Sequence, residues 1–291
     1  MRSTLMVAGA LCVLQEGVAQ AQSALQLAPS EEWELGSGAE SCWISRRFGE
    51  DDKGLFVRVE NFGTGSRLRV FMRGKPLPQR DSGILEFQTR YSPNGIANDR
   101  LGILNRSGNA PTLTYLEALT QREGTSGTGD PAEDAYAGLE PATNELELIF
   151  SRGAPVALQF GSMATPLDRL QECAAGLPAK WGFDIEQQRA LSRPAMPIDQ
   201  GQWIDSGTFP WEYLRNYQSV VVHLRLRVDD QGMPTDCVVQ APQFERAASE
   251  IACRSIMASA RFEPALDAEG EPVASYFTTS IFYKTKRRNG N

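Results

Sequence analysis

Residues 220–228 read Val-Val-Val-His-Leu-Arg-Leu-Arg-Val, and the fold is read outward from them. Val220, Val222, Leu224, Leu226 and Val228 alternate with Val221, His223, Arg225 and Arg227, the period-two pattern of a strand with one buried face. His223, the chain's one histidine, falls on the polar face and is expected in solvent, where it serves neither as a ligand nor as a catalytic base. Asp229-Asp230-Gln231-Gly232 supplies turn residues, and Cys237-Val238-Val239 reads as a strand returning beside the first. From Glu245 to Ala260 the period lengthens: Ala248, Ala252, Ile256 and Ala260 recur every fourth residue in a segment rich in helix formers. Pro264 disfavours helix at the residue before it, so Arg261-Phe262-Glu263-Pro264-Ala265 ends the helix. A turn through Asp267 to Val273 then leads into Ser275 to Tyr283, rich in aromatic and β-branched residues. The order is strand, strand, helix, strand.

That order, together with Ala260-Arg261-Phe262-Glu263-Pro264-Ala265, Gly270-Glu271-Pro272-Val273 and a final aromatic strand, resembles the C-terminal domain of the TonB family, periplasmic proteins that engage outer-membrane transporters. The chain departs from the family at Phe209-Pro210, where a Tyr-Pro step is common, and at Gln218-Ser219, where a Gly usually precedes the first strand. The resemblance implies a ββαβ module with a three-stranded antiparallel sheet. It further implies a TonB-dependent outer-membrane transporter as partner, bound through an extended segment by strand addition in energy-coupled transport. In a sheet ordered two-one-three the third strand leaves one edge open, so Tyr276, Phe277, Thr278, Thr279, Ser280 and Ile281 form the candidate partner-binding edge. Phe277, Ile281 and Tyr283 are expected to face the helix, and Tyr276, Thr278, Ser280 and Phe282 to face outward. The alternatives are a homodimer through the same edge, or an interaction module of this fold that serves another envelope partner without motor coupling.

The N-terminus speaks to the compartment. Arg2, an apolar stretch from Leu5 to Leu14, and the small-x-small step Ala19-Gln20-Ala21 have the layout of a cleavable secretory signal peptide. A retained inner-membrane anchor is the alternative, but a spanning helix needs ~20 apolar residues, and Gln15 and Glu16 break this run. The expected location is the periplasm. A TonB-type energy transducer keeps its N-terminal helix and crosses the periplasm on a Pro-rich stalk, whereas the prolines here are dispersed.

Four cysteines follow the signal: Cys42, Cys173, Cys237 and Cys253. An even number in an oxidising compartment reads as disulfides, and the domain split favours Cys42 with Cys173 and Cys237 with Cys253. No Cys-x-x-Cys pair and a single histidine argue against a metal site, and no cofactor motif is present. The net charge of -7 argues against a nucleic-acid partner, since phosphate binding needs a basic surface.

The remaining sequence divides as signal peptide 1–21, a β-rich domain 22–188, a linker 189–210 containing Pro194 and Pro197, the TonB-like domain 211–286, and a basic tail 287–291. In the β-rich part Leu55 to Val59, Arg67 to Phe71, Ile84 to Phe87, Glu145 to Phe150 and Val156 to Phe160 are strand-like runs between turns, consistent with a barrel or sandwich. Pro166 to Trp181 reads as one helix, with Leu167, Leu170, Ala174 and Leu177 on one face and Thr165 as cap. Gln121 to Thr143 reads as a long exposed loop. The fold class is α+β. One enzymatic reading exists: Asp81-Ser82-Gly83 and Asp205-Ser206-Gly207 repeat a triplet that aspartic peptidases pair to activate water. Neither follows an apolar strand, and Asp-Ser-Gly is ordinary turn chemistry, so no catalytic residue is assigned and the protein is read as a non-enzyme.

Overall fold

The computed structural model describes residues 23–63, 67–80, 82–107, 110–118, 138–204, 219–241 and 246–284. It is a mixed α+β structure made mostly of strand. Ten strands form one curled sheet: β1 (Leu25–Leu27), β2 (Glu34–Ser37), β3 (Cys42–Phe48), β4 (Leu55–Asn61), β5 (Arg67–Gly74), β6 (Gly83–Ser92), β7 (Ala97–Ser107), β8 (Ala110–Ala118), β9 (Glu145–Phe150) and β10 (Val156–Leu158). Their spatial order is β1-β10-β9-β6-β7-β8-β5-β4-β3-β2.

Alternation decides which face turns inward. Cys42, Ile44 and Phe48 on β3, Leu55, Val57 and Val59 on β4, and Leu68, Val70 and Met72 on β5 share one buried core, while Ser45, Arg47, Phe56, Phe71 and Arg73 between them stay at least partly accessible. The curl brings the two ends of the sheet to one N-terminal segment. Leu25 to Leu27 pairs with Val156 to Leu158; the next residues reach the end of β3, where Ser30 N donates to Arg47 O at 3.0 Å and Gly49 N to Ala28 O at 2.7 Å. Helix α1 (Ala164–Ala175) buries Leu167, Leu170 and Ala174 against this core, and a disulfide from Cys173 to Cys42 ties it to β3.

The single helix expected over 166–181 is instead two. α1 ends at Gly176, and a short α2 (Leu177–Lys180) restarts with Pro178 in its first turn, because proline has no N–H to continue the ladder of α1. Met163, not Thr165, is the N-cap, and it makes no side-chain cap bond. A third short helix, α3 (Ile185–Arg189), is capped by Asp184 Oδ1, which accepts from Glu186 N and Gln187 N.

The stretch read as a linker carries structure wherever it is described. β11 (Met196–Ile198) pairs antiparallel with β14 (Arg261–Glu263), and Ala195 and Trp203 are buried in the C-terminal core. The Trp203 ring lies 5.0 Å from that of Phe262 and 5.9 Å from that of Phe277. Pro197 is compatible with this role because β11 is an edge strand.

The C-terminal part continues with β12 (Ser219–Val228), β13 (Pro234–Val239), α4 (Arg246–Ser259), β14, β15 (Ala265–Leu266), β16 (Pro272–Val273) and β17 (Ser275–Lys284). Its main sheet is antiparallel, in the order β13-β12-β17. Helix α4 lays Ala248, Ala252 and Ile256 into one core with Leu224, Leu226 and Val228, the faces that the period-two and period-four patterns select. The Cys237–Cys253 disulfide pins α4 to β13. Gly232 turns the hairpin with a φ of +76°, and a side chain there would overlap the Phe262 carbonyl, so the tip sits directly against β14. The signal segment 1–21, Asp81, most of the expected loop 121–143, Asp205, the Phe209-Pro210 step and the tail 287–291 lie outside the described residues.

Candidate functional site

β17 pairs with β12 along its whole length, from Ser275 opposite Val228 to Lys284 opposite Ser219. Among the described residues no strand borders its other side. The Ser275 end of that side is occupied by α3: Ser275 Oγ donates to Gln188 Oε1 at 2.7 Å, and Gln188 Nε2 donates to Ala274 O at 3.2 Å.

Register settles where each candidate side chain goes. Phe277 and Ile281 pack with the α4 side of the sheet, as alternation requires, and Tyr283 is buried there. Gln200 Nε2 donates to the Thr279 hydroxyl at 3.0 Å on the same side. The opposite face is partly covered where it is described, contrary to the expectation that its residues face outward: Tyr276, Thr278 and Ser280 are all only half-buried. Tyr276 inserts between Trp181 and Phe183, with ring centroids 5.1 and 5.5 Å away. Ser280 Oγ lies 2.9 Å from His223 Nδ1.

The polar face of β12 is covered in the same way at His223, Arg225 and Arg227. His223, expected in solvent, is 3% exposed and stacks on Phe62, with ring centroids 4.3 Å apart. Arg225 forms two bonds to Glu40, Nε to Oε2 at 3.0 Å and Nη2 to Oε1 at 3.1 Å, while its guanidinium lies over Trp181 at 4.7 Å. Arg227 lies over Phe183 at 4.4 Å. Gln240 Nε2 closes the edge of this contact by donating to Phe62 O at 2.9 Å and Glu40 O at 3.2 Å. Residues 40–62 and 181–183 thus hold the back of the C-terminal sheet, and His223, Arg225 and Arg227 each meet a side chain from them.

Electrostatics follow from that burial. Desolvation, reinforced by the positive charge of Arg69, pushes the His223 imidazole down to about 3 from its ordinary 6.5, so it is neutral across the physiological range. His223 Nε2 has no hydrogen-bond partner among the described residues. Arg69 in turn is paired with Glu60, which also accepts from Ser41 Oγ at 2.6 Å.

Both expected disulfides are present, Cys42 with Cys173 and Cys237 with Cys253. They staple the two cores separately and take no part in the contact between them. Among the described residues no cluster of three or more His, Cys, Asp or Glu side chains could hold a metal ion, and no helix is long and apolar enough to cross a membrane. Sequence reasoning missed Glu40, Phe62, Trp181 and Phe183, the residues that bury the back face. Their one sequence-level trace is the pair of arginines at 225 and 227, whose partners lie far away in the chain. Compared with protein-family models and with curated proteins, the chain matches none.

Proposed function

We propose that this is a periplasmic envelope protein, exported by its N-terminal signal, whose C-terminal TonB-like ββαβ module binds an extended peptide by strand addition along β17. The observation that carries the reading is the long β17 ladder, satisfied by β12 on one side and without a neighbouring strand on the other among the described residues. Such an edge offers a row of main-chain donors and acceptors, so affinity comes from backbone bonds and selectivity from the alternate side chains. The transporter segment implied by the family resemblance is one occupant. The buried back face favours the other reading within the same fold, an interaction module that serves a different envelope partner without motor coupling. With Arg225 held by Glu40 and Tyr276 held between Trp181 and Phe183, the module is mounted on the β-rich part rather than presented on a free arm.

The test uses the full chain, a peptide from near the N-terminus of an outer-membrane transporter, and two proline variants, Thr278→Pro and Thr279→Pro. Consecutive residues point their N–H groups to opposite sides of a strand, so one variant damages the β12 ladder and the other removes an outer donor, with loss at Thr279 also of the hydroxyl that accepts from Gln200. The outer variant is expected to melt close to wild type and bind about fivefold more weakly, the effect of ~1 kcal/mol for one hydrogen bond. Peptide affinity unchanged in that variant rejects β17 as the docking edge. A pull-down from envelope extract separates the two partners, and a dimer by light scattering that dissociates in the outer variant assigns the edge to self-association.

A further inference from the structure

Among the ion-paired arginines of the described residues, Arg46, Arg69, Arg100 and Arg225 have side chains only 8 to 10% exposed. Three of them face a carboxylate that is itself buried or partly buried. Glu60 beside Arg69 is 6% exposed, Glu117 beside Arg100 is 0%, and Glu40 beside Arg225 is 21%. Arg46 differs. Its Nε donates to Glu31 O and its Nη1 to Phe160 O at 2.8 Å, neutral acceptors that satisfy N–H groups without balancing the charge. Its ion-pair partner among the described residues, Glu32, lies 3.8 Å from Nη2 on a side chain 97% exposed, where water screens the pair. A charge taken out of water is costly unless it is paired, and among the described residues no buried carboxylate pairs with Arg46.

What borders Arg46 instead is a cleft of about 470 Å³ between the β2–β3 hairpin and the start of α1, inside the ~300–1,000 Å³ range of small-molecule sites. Trp33, Leu35 and Pro166 give it apolar walls, Arg169 adds a second cation, and the exposed Glu32 stands at its rim as the one acid among its lining residues. Pro166 and Arg169 are three residues apart on α1 and share a helix face. Leu35, 36% exposed, is a large apolar side chain left accessible on the same wall. The Arg46 guanidinium also lies 5.7 Å from the Trp33 ring and 5.8 Å from that of Phe48, so its position is set by packing before any ligand arrives.

We propose that this cleft binds a small amphipathic anion, its acid group held by Arg46 and Arg169 and its apolar body laid along Trp33, Leu35 and Pro166. The site is independent of the β17 edge and rests on different residues. Because Trp33, Leu35 and Pro166 present apolar surface beside the two cations, unbranched or monocyclic acids fit better than compact hydrophilic ones such as free phosphate.

Decanoate titrated into the full chain tests this by calorimetry and tryptophan fluorescence, with decanol as the uncharged control. Saturable decanoate binding is expected, with decanol at least tenfold weaker, and a fluorescence change abolished in Trp33→Phe. Arg169 is exposed, so Arg169→Glu should leave the melting temperature unchanged while weakening decanoate about tenfold or more, the direction set by charge reversal at the site. Arg46→Gln should abolish binding, and Arg169→Glu keeps the test decisive if that variant unfolds. Decanoate that fails to saturate, equal affinities for decanoate and decanol, or an Arg169→Glu affinity equal to wild type each overturn the proposal.

Discussion

His223 shows how far environment can move one residue from its expected role. An imidazole on an alternating polar face reads as solvated, yet here it is stacked on Phe62 and shut from water. Its pKa of about 3 against an ordinary 6.5 makes a specific linkage. Above about pH 6.5 the group is neutral in both folded and unfolded chains and its contribution to stability is complete. As pH falls from 6.5 toward 3, the unfolded chain takes up a proton that the folded chain refuses, and stability declines at up to about 1.4 kcal/mol per pH unit from this group. Since the chain has one histidine, its Cε1–H resonance can be followed without assignment. That resonance should stay flat from pH 8 to 4.5, and a midpoint near 6.5 would mean that His223 is exposed. Fidelity to pattern was better at Phe277 and Ile281, which face α4 as their alternation requires.

At the scale of elements, α4 and β12 were legible because each has one clean apolar face against one core. β7 and β8 were not. Asn98 and Arg100 on β7 and Tyr91, Tyr115 and Glu117 nearby form a polar patch on the inner side of the curled sheet, where Glu117 accepts from Tyr91 Oη at 2.6 Å and from Arg100 Nη2 at 2.6 Å. A strand whose buried face carries amide and charge does not alternate in hydrophobicity, and Pro111 further obscures β8. The disulfides belong to this scale too. Replacing both Cys237 and Cys253 by Ser frees α4 from β13, and the chain-entropy model gives a loss of ~3 kcal/mol for so short a loop. Chemical denaturation of that double variant should show a lower midpoint with the far-ultraviolet spectrum of the folded state retained. An unchanged midpoint would mean that the helix is held by its apolar face alone.

For the whole molecule, the β-rich part and the C-terminal module are not beads on a string. Ala195 and Trp203, from the stretch that reads as a linker, belong to the C-terminal core, and the back of the C-terminal sheet is covered by Glu40, Phe62, Trp181 and Phe183. Removing one partner of a buried ion pair strands the other charge, so cutting the chain before Trp211 strands Arg225 and uncovers Tyr276 at once. A fragment of residues 211–291 is therefore expected to lack the cooperative melt of the full chain by circular dichroism, while the full chain melts in one transition. A sharp, independent melt of that fragment would show that the contact is incidental to its folding.

By itself the sequence determined what depends on neighbours along the chain: β12, β13, α4 and β17, the turn at Gly232, and the strand runs within β4, β5 and β9, each written in local periodicity and turn chemistry, whereas the short β14, β15 and β16 read as a helix end and a turn. The cysteine pairing was also within reach, once the chain was divided into two units. Only the tertiary structure decided the surroundings of polar side chains. Whether His223 and Arg225 meet water or Phe62 and Glu40, and whether Arg46 meets a carboxylate or an open cleft, depends on residues 15 to more than 150 positions away. Hydrophobic periodicity records which face is buried by apolar contact, but it carries no trace of a polar face buried by a distant partner. Burial of that kind is a property of the pair, not of either segment.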